Sequence, residues 1–197
     1  MFNLKGKSFI VTGAASGIGR AIALVLGEAQ ASVAVADYDP GGAADTATML
    51  NKSGANAQAI KADVRDEKDV KAMVDRAMAT YERLDGAANV AGISTRSLKL
   101  CELSLADWRN CIAVNLTGAF LCLKYQIPAM LKTGGGSIVV VSSTAATQGG
   151  CVRKRNTHVV LAMDIDLAYV LREIWHASLT KVFAKQACCP ATACRQI

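Results

Sequence analysis

Residues 8–20 read Ser-Phe-Ile-Val-Thr-Gly-Ala-Ala-Ser-Gly-Ile-Gly-Arg, and this stretch decides the fold. The apolar run Phe9 to Val11 predicts a strand, and the residues from Arg20 to Leu26 predict a helix just after the glycine-rich turn. A helix begins with unpaired backbone N–H groups and the positive end of its dipole, so this arrangement is typical of an anion site. Glycine suits the turn because a Cβ would keep the backbone away from a pyrophosphate.

The spacing Thr12-Gly13-x-x-x-Gly17-x-Gly19 resembles the glycine turn of the short-chain dehydrogenases/reductases. A plain loop at a helix start is the competing interpretation, because short glycine motifs also occur without a ligand. The resemblance implies that a nicotinamide dinucleotide binds at Gly13, Ser16, Gly17, Ile18 and Gly19.

A second apolar strand, Ser32 to Ala36, ends at Asp37. A carboxylate at this position can accept hydrogen bonds from both ribose hydroxyls of adenosine, and it repels a 2′-phosphate. The resemblance therefore implies NAD as the preferred cofactor, with NADP as the alternative. The competing interpretation of Asp37 is a strand-end turn, because Tyr38, Asp39 and Pro40 follow it.

The third predicted strand, Asn56 to Ala62, is followed by Asp63 and Val64. The resemblance implies that the Asp63 carboxylate receives the adenine amino group and that Val64 packs on the adenine ring. Asp66 is expected to cap a helix whose apolar stripe extends from Val70 to Tyr81.

The fourth predicted strand, Leu84 to Val90, ends in a motif that is similar to the family's Asn-Asn-Ala-Gly, with Val90 departing at the second position. The resemblance implies that Asn89 stabilises the central sheet, while Ala91 and Gly92 let the cofactor lie against backbone. Small residues after a strand also suit a tight turn.

One long amphipathic helix is predicted from Trp108 to about Met130, with Pro128 ending or kinking it. Asn115 is locally unfavourable inside a helix, since its amide competes for backbone hydrogen bonds. The resemblance implies that Asn115 sits at a kink that holds a water in a proton relay. A fifth strand, Ser137 to Val141, leads to Ser143, whose hydroxyl by resemblance holds the substrate carbonyl; a local cap is the alternative.

Five strands alternating with four helices predict an α/β fold: a doubly wound parallel sheet, Rossmann-like, with helices on both faces. Residues 1–150 are expected to form the dinucleotide-binding core. Residues 151–197 form a divergent segment with one helix, about 167–186, and the last strands of the family are expected to be lacking.

The family's Tyr-x-x-x-Lys motif does not occur in this sequence. Matching the stretch Leu179-Thr180-Lys181 to the family places the tyrosine at Tyr169 and puts Glu173 where the family has its lysine. A carboxylate one helical turn from a phenol raises the pKa of that phenol, whereas a lysine would lower it.

Two functions follow from these residues. The first is an oxidoreductase that passes hydride between NAD(H) and a small-molecule alcohol or ketone, with Asn115, Ser143 and Tyr169 as catalytic residues. The second is an impaired family member, truncated or mis-spliced, that binds NAD but turns over little or nothing.

Composition and charge narrow the remaining classes. Hydrophobic residues are 52% and charged residues 19% of the chain, which permits a buried core. No run of apolar residues long enough for a membrane span and no signal peptide is found, so a cytoplasmic protein is expected.

The seven cysteines lack metal-ligand spacing, so no metal site is predicted. The basic excess lies after residue 150 with no interleaved aromatics, so no nucleic-acid partner is expected; a homo-oligomer is left open.

Overall fold

Five parallel strands form one sheet in the order β3-β2-β1-β4-β5. The computed structural model describes residues 3–94 and 100–142. The strands are β1 Ser8–Thr12, β2 Ser32–Asp37, β3 Asn56–Lys61, β4 Gly86–Asn89 and β5 Ser137–Val140. The α-helices are α1 Gly17–Glu28, α2 Pro40–Lys52, α3 Glu67–Tyr81, α4 Leu105–Ile112 and α5 Gly118–Lys132, and a π-helix Ala113–Thr117 joins α4 to α5.

The strand order reverses direction between β1 and β4. From β1 the chain adds β2 and then β3 on one side, and it then returns to place β4 on the other side of β1. The register puts Thr12, the last residue of β1, beside Asn89, the last residue of β4. In sheets of this kind ligands bind in the crevice outside the carboxyl ends at such a reversal. The crevice therefore lies between the turns that follow Thr12 and Asn89.

Helices cover both faces of the sheet, as the alternation of strands and helices predicts. On one face α3 and α5 bury an apolar cluster that includes Met73 and Leu121, and on the other α1 and α2 bury a cluster that includes Ala23 and Leu50. Strand β2, next to the central strand β1, contributes to both clusters, with Val33 and Ala34 fully buried. This two-sided burial is why β1 and β2 are nearly continuous apolar runs. The predicted fold class is confirmed.

Several element bounds differ from those expected. Strand β4 is shorter than Leu84 to Val90, and at its carboxyl end the N–H of Val90 donates to the Thr12 hydroxyl rather than to a neighbouring strand. Helix α1 begins at Gly17, three residues before Arg20. The predicted N-cap is confirmed, since the Asp66 side chain accepts from the N–H of Lys68.

The long helix expected from Trp108 to Met130 is divided by the π-helix, and it does not end at Pro128. Helix α5 continues to Lys132 because the residues beyond Pro128 are held by packing: Ala129 and Met130 are both buried against the sheet. Tertiary packing here outweighs the hydrogen bond that a proline removes.

The divergent segment 151–197, with its expected helix, lies outside the described residues. Within 3–94 and 100–142, no helix is long and apolar enough to cross a bilayer.

A carboxylate at the amino end of the sheet gives the fold a pH dependence. Asp85 accepts hydrogen bonds from Arg83, from the N–H of Ser8 and from Lys7. Burial alone would raise the pKa of Asp85, but these hydrogen bonds lower it to about 2. Because the folded-state pKa lies below the value of about 3.9 in an unfolded chain, Asp85 stabilises the fold above about pH 4 and loses this effect as the pH falls toward 2.

We therefore expect Asp85→Asn to lower the urea midpoint clearly at neutral pH and much less near pH 3. Asp75→Asn is the matched control, because Asp75 forms an exposed pair with Lys71 on α3 and should change the midpoint little at either pH. An equal loss of stability at both pH values for Asp85→Asn would contradict this role.

Candidate functional site

The glycine turn after β1 is shaped by close backbone approaches. A Cβ at Gly19 would lie 2.1 Å from the carbonyl oxygen of Gly13, so α1 starts in direct contact with the turn. Gly13 has a φ of +68°, and a Cβ there would lie 2.8 Å from the N atom of Ala91. The turns after β1 and β4 are therefore in van der Waals contact, and no larger residue fits between them.

The N-terminus of α1 is open for an anion. Ser16 is the N-cap residue, but its side chain makes no capping hydrogen bond, and both Ser16 and Ile18 are exposed. A helix leaves its first N–H groups without carbonyl partners inside the helix. Among the described residues, a Cβ at Gly17 would meet nothing within 4 Å, so there is open space beside the first turn of the helix. The residues present therefore fit a pyrophosphate, the anion that the glycine spacing predicts.

Asp37 reaches back from the end of β2 into this turn. Its Oδ2 accepts from the N–H of Ala15 at 2.8 Å, and its Oδ1 accepts from the N–H of Asp39 at 2.9 Å. A carboxylate oxygen has room for about two hydrogen bonds, so each oxygen keeps capacity for one more donor. The carboxylate is thus held in one orientation beside the phosphate-binding turn and can still accept two hydroxyl groups.

Asp63 is engaged differently from what the resemblance implies. Its carboxylate is held by Arg65, whose Nη2 lies 2.6 Å from Oδ2 and whose Nε lies 2.9 Å from Oδ1. The side-chain hydrogen bond from Arg65 lowers the pKa of Asp63. Arg65 also donates to Asn110 at 2.7 Å and lies 5.6 Å from the centre of the Tyr38 ring. An adenine amino group would therefore have to share this carboxylate with Arg65.

Asn89 is fixed by a reciprocal pair of amide hydrogen bonds. Its Nδ2 donates to Oε1 of Gln126 and its Oδ1 accepts from Nε2 of Gln126, both at 2.9 Å. Both side chains are buried, at 5% and 0% exposure. Beside them the buried hydroxyl of Thr12 accepts from the N–H groups of Val90 and Ala91. These contacts tie the turn after β4 to both β1 and α5.

Removing one partner of the amide pair is expected to be costly. We expect Gln126→Leu to destabilise the chain by about 1–3 kcal/mol, because the Asn89 amide would remain buried without its partner. The double variant Asn89→Leu/Gln126→Leu should lose less than the sum of the two single losses, and urea unfolding measures all three. Strictly additive losses would show that the pair does not act as a unit.

Asn115 lies within the π-helix. An asparagine is unfavourable inside a regular helix, and here it occupies a segment where the α-helix is interrupted. Its Nδ2 donates to the carbonyl of Ile93 at 2.8 Å, and its Oδ1 accepts from the N–H of the same residue at 2.9 Å. Asn115 therefore binds both the N–H and the carbonyl of Ile93 and in this way holds the loop after β4. Isolated π-helical turns often occur at functional sites, and this one directs its asparagine into the crevice.

A cavity of ≈ 20 Å³ lies at the carboxyl edge, which is room for about one water molecule. Its lining brings together four of the predicted site residues with the strand-end threonine. The lining residues are Thr12, Val64, Asn89, Ala91, Asn115, Gly118, Ala119, Cys122, Val140 and Val141. Burial raises the pKa of the Cys122 thiol to about 12, so that side chain stays neutral at physiological pH.

Most predicted site residues lie at this edge, and two are not among the described residues. Gly92 completes the cluster, since a Cβ there would lie 3.4 Å from Oδ1 of Asn115. Ser143 and Tyr169 lie outside the described residues. Sequence reasoning missed Gln126 and Arg65. A polar residue between apolar neighbours on the buried stripe of α5 was a usable signal for Gln126, whereas no pattern distinguishes Arg65 from a solvated arginine.

A comparison with protein families and known proteins agrees with this geometry. Residues 7–154 match the short chain dehydrogenase family, and the chain belongs to that family. It is 46% identical over 151 residues to 2,5-dichloro-2,5-cyclohexadiene-1,4-diol dehydrogenase of Sphingobium indicum. That match covers 76% of this chain and 59% of the relative, so the chain spans less than two thirds of the relative's length.

One further relative and two solved structures are also similar to this chain. D-threitol dehydrogenase of Mycolicibacterium smegmatis is 36% identical over 185 residues, covering 94% of this chain and 66% of that protein. A structure of 7α-hydroxysteroid dehydrogenase with NADH and 7-oxo glycochenodeoxycholic acid superposes with a TM-score of 0.78 at 29% identity, covering 91% and 69% of the two chains. Carveol dehydrogenase from Mycobacterium avium in complex with NAD gives 0.71 at 29% identity, covering 75% and 58%.

Proposed function

We propose that the chain is an NAD-dependent oxidoreductase that acts on a secondary alcohol or its ketone. The observation that carries this proposal is the Asp37 carboxylate, held by the N–H of Ala15 beside the glycine turn with capacity for two further donors. The dinucleotide-bound relatives and the diol dehydrogenases among the matches support it. NAD, when bound, supplies the acceptor for the hydride.

The charges around Asp37 support NAD over NADP. A 2′-phosphate on the adenosine ribose would lie against the Asp37 carboxylate, and the neighbouring residue of the turn is the uncharged Ser16. Arg65 is the cation nearest to Tyr38 in the contacts described, but its guanidinium is bound to Asp63 and contributes little net charge. Arg20 is bound to the Ala15 carbonyl and to Thr46, so the charge that a 2′-phosphate on the ribose would meet is the Asp37 carboxylate, which repels it.

Titration of both cofactors tests this preference. We expect NAD to bind the wild type at least tenfold tighter than NADP. Asp37→Ala should weaken the binding of NAD and narrow the ratio of the NAD affinity to the NADP affinity, because the repulsion and two hydrogen bonds are lost together. Asp45→Ala is the control, since it removes an equal charge from the exposed side of α2. Equal or tighter binding of NADP by the wild type would overturn the preference.

The catalytic roles are proposed from the family motif together with the site. Ser143 would hold the substrate carbonyl by its hydroxyl, and Tyr169 would exchange the proton with the substrate oxygen. Asn115 would keep a water at the π-helix for the proton relay, and the small cavity beside it supports this role. Compounds with vicinal or ring hydroxyl groups are the first substrates to assay, given the names of the relatives.

A second function stays open because of Glu173. A carboxylate one turn from Tyr169 would keep the phenol protonated near neutral pH. The chain would then bind NAD and turn over little, which is the impaired alternative. Cytoplasmic location and self-association stay predictions; size-exclusion chromatography with light scattering tests the latter.

A further inference from the structure

Ala14 and Ala15, which follow Gly13 in the glycine turn, have all four of their backbone hydrogen-bonding groups paired. The N–H of Ala14 donates to the carbonyl of Ala36, and the N–H of Ala15 donates to Asp37. The carbonyl of Ala14 accepts from the Thr46 hydroxyl at 2.9 Å, and the carbonyl of Ala15 accepts from Nη2 of Arg20. The N–H groups are thus paired with β2 and its end, and the carbonyls with two side chains.

Those two side chains are joined to each other. Nε of Arg20 donates to Oγ1 of Thr46 at 2.9 Å, so one guanidinium spans the hydroxyl and the Ala15 carbonyl. Thr46 is fully buried in α2, and its single hydroxyl proton is shared between the carbonyls of Ala14 and Gly42. Arg20, in the first turns of α1, thereby connects the turn to α2.

The backbone of α2 also packs directly on the turn. A Cβ at Gly42 would lie 2.7 Å from the Cβ of Ala15, so the first turn of α2 leaves no gap there. The N–H groups that remain for an anion begin directly after this segment, at Ser16 and Gly17. Any tilt of the Ala14–Ala15 peptides would redirect those N–H groups. The orientation of the anion site therefore depends on the Arg20–Thr46 pair.

We propose that Arg20 and Thr46 are positioning residues for the pyrophosphate of the dinucleotide. Together they hold the carbonyl side of the turn, while Asp37 holds its N–H side. This inference rests on the proposed dinucleotide function and adds two residues, one of them on α2, that do not touch the cofactor. The pair also places a guanidinium charge against the turn, which favours an anion there. Lysine cannot replace Arg20, because an ammonium lacks the planar fork that spans two acceptors.

The experiment compares Thr46→Val, which keeps the shape and removes the hydroxyl, with Thr46→Ser, which keeps the hydroxyl. Thr48→Val is the matched control, because Thr48 is exposed on the same helix. Arg20→Met and Arg20→Lys test the guanidinium, with the exposed Arg76→Met as their control. Two quantities are measured for each variant: amide hydrogen exchange of residues 13–19 in the unliganded chain, and the affinities for NAD, ADP and adenosine.

We expect Thr46→Val, Arg20→Met and Arg20→Lys to exchange faster over residues 13–19 and to bind NAD and ADP on the order of tenfold more weakly. Adenosine, which has no phosphate, should bind all of them as it binds the wild type. Thr46→Ser and the two controls should match the wild type in both measurements.

Unchanged exchange and unchanged ADP affinity in Thr46→Val and Arg20→Met would overturn the inference while leaving the proposed function intact. An equal loss for ADP and adenosine would also overturn it, since that pattern indicates general loosening. If the buried Thr46→Val does not fold, the partly exposed Arg20→Met and Arg20→Lys decide the outcome alone. A wild type that binds none of the three nucleotides would overturn the inference and the proposed function together.

Discussion

A Gly19→Val variant is expected to bind no measurable NAD. Even the first carbon of a side chain at this position would lie 2.1 Å from the carbonyl oxygen of Gly13 and 2.6 Å from its carbonyl carbon. Both obstacles are backbone atoms, which cannot move aside as a flexible side chain can. Either α1 shifts away from the turn or the turn opens, and in both cases the N–H groups no longer converge on a pyrophosphate.

Calorimetric titration with NAD measures this loss, and circular dichroism shows whether the variant is folded. Ala72→Val is the control, because Ala72 is exposed on α3 and the variant likewise introduces a branched side chain into a helix. It should keep the NAD affinity of the wild type. A folded Gly19→Val that binds NAD as tightly as the wild type would place the phosphate site elsewhere.

The second large effect is expected from Glu173→Lys. In the helix expected at about 167–186, a lysine at this position would lower the pKa of the Tyr169 phenol, whose unperturbed value is about 10, and make it a better base. We expect alcohol oxidation to rise by about 10²-fold, the lower end of what general base catalysis contributes. Carbonyl reduction should rise less, because a protonated tyrosine can already donate its proton. The pH optimum of oxidation should move downward.

Steady-state rates in both directions, followed across pH, test this expectation. Tyr169→Phe in the Glu173→Lys background is the control and should remove the gain. A wild type that already oxidises alcohols at about 10 s⁻¹, with Tyr169→Phe harmless, would contradict the assignment of Tyr169. Absence of turnover in both chains, with NAD still bound, would favour the impaired alternative.

The fold was predictable because its signals are local. Strands β1 and β2 are apolar runs buried on both faces, so their positions are visible without knowing their partners. The exceptions are places where a group distant in the sequence determines where a strand or a helix ends. The end of β4 is set by the Thr12 hydroxyl, and the helix beyond Pro128 is held by packing against the sheet. Neither effect leaves a pattern in the neighbouring residues.

The close packing of the backbone at the site was easier to predict from the sequence than the hydrogen-bond partners of its side chains. The glycine spacing predicted a turn with no room for side chains, and the structure shows backbone contacts at Gly13 and Gly19 that would exclude a Cβ. The partner of Asn89 lies 37 positions away, and Asn115 binds Ile93 across 22 positions, so only the folded chain shows both contacts. The Arg65 guanidinium donates to both carboxylate oxygens of Asp63, which is only two positions away. This contact was still not predictable, because a sequence does not distinguish a bound arginine from a solvated one.

Amide hydrogen exchange of the 197-residue chain, with and without saturating NAD, tests most directly whether the carboxyl edge of the sheet is a dinucleotide site. We expect slower exchange on adding NAD over residues 13–19, around Asp37 and over residues 89–92. The amino end of the sheet, around Lys7 and Asp85, should be unaffected. No change anywhere, or protection confined to segments away from that edge, would contradict the assignment of this crevice as the NAD site.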